Sequence, residues 1–136
     1  LGFSPDGKTL YHSDTSRRAV QCYAVNEDGT LGDKQVFVIT DKGSPDGLCV
    51  SDDGRVWVAL AGGSGVGVYN ADGSFDQFIE IPMPLCTSVC FGGDNLKDLY
   101  VVSGSGADAD NVGAVFRQPV EATGLLVPPA RVAIQQ

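Results

Sequence analysis

Internal repetition constrains this chain more than any other feature. Three segments share one pattern: Leu1-Gly2-Phe3-Ser4-Pro5-Asp6-Gly7-Lys8-Thr9-Leu10-Tyr11, Leu48-Cys49-Val50-Ser51-Asp52-Asp53-Gly54-Arg55-Val56-Trp57 and Val89-Cys90-Phe91-Gly92-Gly93-Asp94-Asn95-Leu96-Lys97-Asp98-Leu99-Tyr100. Each is a short apolar run, a polar Gly/Asp turn and a second run with an aromatic residue. Asp-Gly between alternating apolar runs predicts a hairpin, because both residues tolerate the positive φ of tight turns. A second repeat lies inside the first two units. Val25-Asn26-Glu27-Asp28-Gly29-Thr30-Leu31 matches Tyr69-Asn70-Ala71-Asp72-Gly73-Ser74-Phe75, 44 residues later. Strands are expected on either side of these turns, over 19–25 and 34–40 in the first unit and 66–70 and 74–80 in the second.

The units begin at Leu1, Leu48 and Val89, 47 and 41 residues apart. Four-stranded up-and-down units of roughly 40–50 residues are the mark of propeller blades. The expected fold is therefore all-β, a β-propeller of four-stranded antiparallel blades, over 1–43, 44–86 and 87–136. A β-sandwich is the alternative, but it would not need such repetition. The last unit looks incomplete: 113–118 matches a third strand, and the tail 119–136, with Pro128-Pro129, offers no clear fourth. Three blades cannot close a ring and leave sheet edges and apolar faces uncovered. The expected partner is a missing N-terminal half or another copy of the chain.

Composition narrows the function. The chain has 136 residues, 18 of them Gly, in keeping with many tight turns. With 43% hydrophobic and 19% charged residues it is globular and not disordered. Nine Lys+Arg against 17 Asp+Glu give a net charge of −8, which disfavours nucleic acid as a partner. No apolar run approaches the ~20 residues of a membrane span, so no membrane partner is expected. Cys22, Cys49, Cys86 and Cys90 form no C-x-x-C pair, and His12 is the single histidine, so a tetrahedral zinc site is disfavoured. Cys49 and Cys90 lie in apolar runs and read as buried free thiols, with a disulfide as the alternative. Unpaired thiols make the cytoplasm the expected compartment.

Propeller geometry sorts the polar residues. The innermost strand of a blade starts at one face of the channel, which also carries the strand 2–3 loops and the connections between blades. The Asp-Gly hairpins lie at the other end, so Asp6, Asp28, Asp53, Asp72 and Asp94 read as structural turn residues. Asp46, in Gly43-Ser44-Pro45-Asp46-Gly47-Leu48, differs: it directly precedes an innermost strand, so its carboxylate is expected at the channel mouth. A carboxylate there suits a hard cation such as Ca²⁺ or Mg²⁺, and a turn or capping role is the competing reading. Its counterpart in the third unit is Thr87, followed by Ser88. The other loops expected on this face are 12–18, 62–65 and 103–111. Asp108-Ala109-Asp110-Asn111-Val112-Gly113 fails the calcium-loop pattern, with Val112 at the fifth position and Pro119 where a bidentate Glu belongs. His12 reads as a strand-face residue, and no G-x-S-x-G elbow is present.

Residues 1–14, 44–60 and 87–100 together resemble the SMP-30/gluconolactonase/luciferin-regenerating-enzyme (regucalcin-like) family. The most specific pieces are Pro45-Asp46-Gly47-Leu48-Cys49-Val50 with Asp53-Gly54-Arg55-Val56-Trp57-Val58-Ala59, and Thr87-Ser88-Val89-Cys90-Phe91-Gly92-Gly93 with Leu99-Tyr100-Val101. The resemblance implies a six-bladed propeller that binds one divalent metal ion (Ca²⁺, or Zn²⁺, Mn²⁺ or Mg²⁺) at the channel mouth and hydrolyses lactones, mostly sugar lactones. It implies that Asp46 is both a metal ligand and the general base. The family's other ligands, a Glu and an Asn, would precede Leu1. The expectations are therefore a metal-dependent lactone hydrolase, with the 136 residues as its C-terminal half, inactive alone. A non-catalytic calcium-binding or scaffold propeller is the alternative.

Overall fold

The computed structural model describes residues 1–105 and 112–127. Within them the chain forms three antiparallel sheets, each in simple chain order. The first holds β1 (Gly2–Phe3), β2 (Thr9–Asp14), β3 (Ala19–Ala24) and β4 (Gln35–Ile39). The second holds β5 (Ser44–Val50), β6 (Val56–Ala61), β7 (Gly65–Tyr69) and β8 (Phe75–Glu80). The third holds β9 (Cys86–Gly92), β10 (Asp98–Ser103) and β11 (Ala114–Pro119). A single 3₁₀ turn, η1 (Thr15–Arg17), joins β2 to β3. The strands β1, β5 and β9 neighbour one another along one edge, which makes them the innermost strands of successive propeller blades. No helix among the described residues is long and apolar enough to cross a membrane.

The core sits between sheets. Tyr11 and Val20 of the first sheet pack on Leu48, Val50, Val56, Val58, Leu60 and Tyr69 of the second. On its other side the second sheet presents Trp57, Ala59, Val66 and Val68 to Val89, Leu99 and Val101 of the third. The middle blade is thus covered on both faces, which is why Val56-Trp57-Val58-Ala59-Leu60 runs without polar alternation and is at most 1% exposed. The third sheet alternates instead. In β10, Leu99 and Val101 are fully buried while Val102 is 40% exposed on the opposite face. Trp57 anchors the second junction: its Nε1 donates to Ser51 Oγ at 2.9 Å, and its ring meets Phe91 edge-on at 5.2 Å.

This alternation corrects one expectation. Cys90 is exposed, because its neighbour Val89 takes the side of β9 that faces the second sheet. Cys49 is half-buried and Cys86 buried, and all four cysteines are free. Burial, helped by nearby Cys90, pushes the Cys49 thiol up to about 12.

The hairpin turns share one construction. Gly29, Gly54 and Gly73 each donate a backbone hydrogen bond to the carbonyl three residues earlier and adopt φ of +79°, +86° and +85°. The Asp before each glycine keeps a negative φ, so these are type I turns closed by a left-handed glycine, and only the glycine meets the steric demand. Each Asp instead accepts from the residue two positions on: Asp28 from Thr30 N at 3.0 Å, Asp53 from Arg55 N at 3.2 Å, Asp72 from Ser74 N at 2.9 Å. Asp6 does the same for Lys8 N at 3.1 Å. In the third unit this role falls to Asn95, which accepts from Lys97 N at 3.2 Å, and not to Asp94. Past β11, Gly124 forms an isolated bridge with Ser51, its N–H donates to the Leu96 carbonyl at 2.8 Å, and Ala122 is buried in the junction.

Candidate metal and catalytic site

Asp46 lies in the upper half of β5, and the local backbone there is irregular. Pro45 pairs with Leu60 and Leu48 with Val58, so Asp46 and Gly47 together face the single residue Ala59. This is a β-bulge, which inserts one residue and re-aims the side chains beside it. Proline suits the position, because it has no N–H to leave unpaired in the broken ladder. β9 is irregular at the same place: Ser88 pairs with Val102 and Cys86 with Ser103, leaving Thr87 as the extra residue. The equivalence of Asp46 and Thr87 read from the sequence is therefore also an equivalence of backbone.

The bulge is held from both sides. From the first sheet, Thr15 Oγ1 donates to the Pro45 carbonyl at 2.8 Å. Thr15 opens η1, whose start is capped by Asp14: its Oδ1 accepts from Arg17 N at 3.3 Å and from Ser16 Oγ at 3.0 Å. The turn ends at Arg18, in the left-handed region at φ 53°, whose carbonyl accepts from Thr40 N at 2.8 Å. From the third sheet, β9 approaches so closely that a Cβ on Gly47 would lie 2.7 Å from Ser88 Cα and 2.9 Å from the Thr87 carbonyl oxygen. The Asp46 side chain itself is half-buried, and no hydrogen bond or ion pair holds its carboxylate among the described residues.

Free carboxylate oxygens beside the inner edge of a propeller are the donor type a hard cation takes. Asp46 fits as one such ligand. The described residues contain no group of three or more His, Cys, Asp or Glu that could hold a metal ion. The other polar residues read from the sequence do not join Asp46. His12 is exposed on β2, paired with Gln21, and with Ser13 and Asp14 belongs to the strand and not to the loop that follows. Residues 108–111 of the acidic loop lie outside the described residues. Thr15 has no role in the sequence reading. Its one signal is that the β2–β3 loop is a residue longer than the β6–β7 loop that repeats it.

Successive antiparallel four-stranded blades, with a carboxylate on a bulge of an inner strand, define a β-propeller. The family model described as the SMP-30/Gluconolactonase/LRE-like region matches residues 1–105, and the chain belongs to that family. It is 35% identical over 138 residues to a pentonolactonase, XacC, of Haloferax volcanii, covering 91% of this chain and 47% of that protein. It is 37% identical over 106 residues to a 6-deoxy-6-sulfogluconolactonase of Pseudomonas putida, covering 76% and 36%. Among solved structures, a calcium-binding regucalcin of Agrobacterium tumefaciens superposes with a TM-score of 0.86 at 29% identity, over 96% of this chain and 48% of that one. The chain thus spans about half the length of such relatives.

Proposed function

We propose that the protein carrying this sequence hydrolyses sugar lactones with one divalent cation, Asp46 being both a ligand of that cation and the general base. The observation that carries the reading is the unpartnered Asp46 carboxylate on a bulge of an innermost strand, in a chain that belongs to a lactonase family. A bound divalent cation supplies Lewis-acid polarisation of the lactone carbonyl. Asp46 accepts the proton of the attacking water and returns it to the ring oxygen as the ring C–O bond breaks, so the tetrahedral carbon collapses to an acid and an alcohol. The junctions on either side of β5 keep the carboxylate in place through that transfer. The remaining oxygens around the cation come from beyond residues 1–136, so this chain alone is expected to be inactive. The calcium-binding regucalcin among its structural relatives favours one other reading, a calcium-binding propeller without turnover.

The test is acid release from five- and six-membered aldonolactones by the protein as produced from its own gene, with and without chelator. Turnover restored by Ca²⁺, Zn²⁺, Mn²⁺ or Mg²⁺ and lost in Asp46→Asn supports the lactonase. Calcium binding without turnover supports the second reading, and turnover indifferent to chelator or to Asp46→Asn overturns the proposal.

A further inference from the structure

We propose that Thr15 is a positioning residue for Asp46, setting the bulge through the Pro45 carbonyl; this rests on the lactonase reading above. The hydrogen bond from Thr15 Oγ1 to that carbonyl is 2.8 Å long, spans 30 positions of sequence and crosses from one blade to the next. Its acceptor belongs to the residue immediately before Asp46, at the point where the β5–β6 ladder breaks. A carbonyl at a bulge has lost the regular ladder that would fix its plane. The peptide plane it belongs to joins Pro45 directly to Asp46, so whatever fixes that carbonyl also fixes the Asp46 backbone.

The internal repeat provides a control. Arg18 and Ser64 occupy equivalent places in the first two blades: both are left-handed, at φ 53° and 56°, and their carbonyls accept from Thr40 N at 2.8 Å and Ile81 N at 2.9 Å. The β6–β7 loop also meets the chain ahead of β9 through backbone alone, with Ser64 N to the Pro84 carbonyl at 3.3 Å. Among the described residues no side chain reaches the Cys86 carbonyl, the counterpart of Pro45. Of the β2–β3 and β6–β7 loops, only the former has the extra residue, the 3₁₀ turn and its Asp14 cap, and it is the one that meets the bulge carrying a carboxylate. Thr15 is thus presented by a rigid turn, with its hydroxyl ordered before any ligand arrives.

The test compares Thr15→Val, Thr15→Ser and Asp46→Asn in the protein as produced from its own gene. Thr15→Val is expected to lower lactone kcat about tenfold, with KM within about twofold, and to speed amide exchange at Asp46 and Gly47; Thr15→Ser restores both. A Thr15→Val protein with unchanged kcat and exchange, beside an inactive Asp46→Asn protein, overturns this inference alone. Equal losses in Thr15→Val and Thr15→Ser also overturn it, since serine keeps the donor. Full turnover in Asp46→Asn overturns the lactonase reading and this inference with it.

Discussion

Gly47→Ala tests whether the site depends on how closely two blades approach. The added Cβ would sit 2.7 Å from Ser88 Cα, 2.9 Å from Ser88 Oγ and 2.9 Å from the Thr87 carbonyl oxygen. Non-bonded carbons settle at about 3.5–4.0 Å, so β5 and β9 must part by roughly 1 Å. Two of the three obstacles are backbone, which cannot rotate away. Overpacking of this kind costs about 1–3 kcal/mol, and the stiffer unfolded chain returns ~0.4–1 kcal/mol. The net loss is then about 1–2 kcal/mol, or roughly 4–8 °C in Tm for a chain of this size. Gly32→Ala is the control, since its Cβ would meet only Ala24, whose Cβ, O and N lie at an ordinary 3.4, 3.6 and 3.9 Å. That variant is expected to match the parent or gain up to ~1 kcal/mol. Urea midpoints and calorimetry on the 136-residue chain measure both. A Gly47→Ala midpoint at or above the parent's, or equal losses in both variants, refutes the packing argument.

Ser51→Ala strips the Trp57 indole of its acceptor in a fully buried site, and a urea-midpoint loss of about 1–3 kcal/mol is expected; a loss below ~0.5 kcal/mol contradicts that role. The Asp6, Asp28 and Asp72 carboxyls are held below their usual value, first by hydrogen bonds from Ser4, Thr30 and Ser74. At Asp53 burial pushes upward, but hydrogen bonds from Arg55 and Ser51 outweigh it. Because the folded values are the lower ones, their stabilisation is full above the unfolded carboxylate value near ~4 and disappears as pH falls through the folded values. Denaturation followed from pH 7 to 2.5 should show stability falling below about pH 4, and Asp28→Asn with Asp72→Asn should flatten that fall; an unchanged slope counts against it. Cys90 should be the first thiol alkylated in the native state at pH 8, with Cys49 and Cys86 protected, as mass spectrometry of the labelled peptides would reveal.

The repeats, the strand order and the turn ends were legible because they follow from period-two patterning and Asp-Gly chemistry, both local in sequence. Strand ends moved by a residue: 34–40 became Gln35–Ile39 and 113–118 became Ala114–Pro119. Asp94 lies in the third turn but does not cap it: that turn is as long as the second, and Leu96, at φ 55°, takes the left-handed place that Gly54 fills, so the capping oxygen belongs to Asn95. Cys90 was misread because an apolar run does not say which face of a sheet a neighbouring blade covers. Asp46 was expected just ahead of an inner strand but stands within β5, on a bulge that no local pattern announced, and Thr15 left almost no trace. Its side chain's hydrogen bond is to a carbonyl 30 residues away, and no local pattern encodes that distance.

The two bulges show how a repeated scaffold comes to carry one site. β5 and β9 break their ladders at the same point, so the fold presents a displaced side chain in the first half of both strands. At one of these places the sequence puts an acid and at the other Thr87, whose Oγ1 is drawn to the Val102 carbonyl at 3.3 Å within its own blade. A neutral hydroxyl lacks the charge that a carboxylate offers a hard cation, and the Asp46 oxygens are uncommitted among the described residues. A hard cation takes about six oxygens, and one carboxylate supplies at most two. The same arithmetic that makes Asp46 credible as a ligand makes it insufficient as a site. In the proposed lactonase the cation would therefore draw its remaining oxygens from donors other than Asp46.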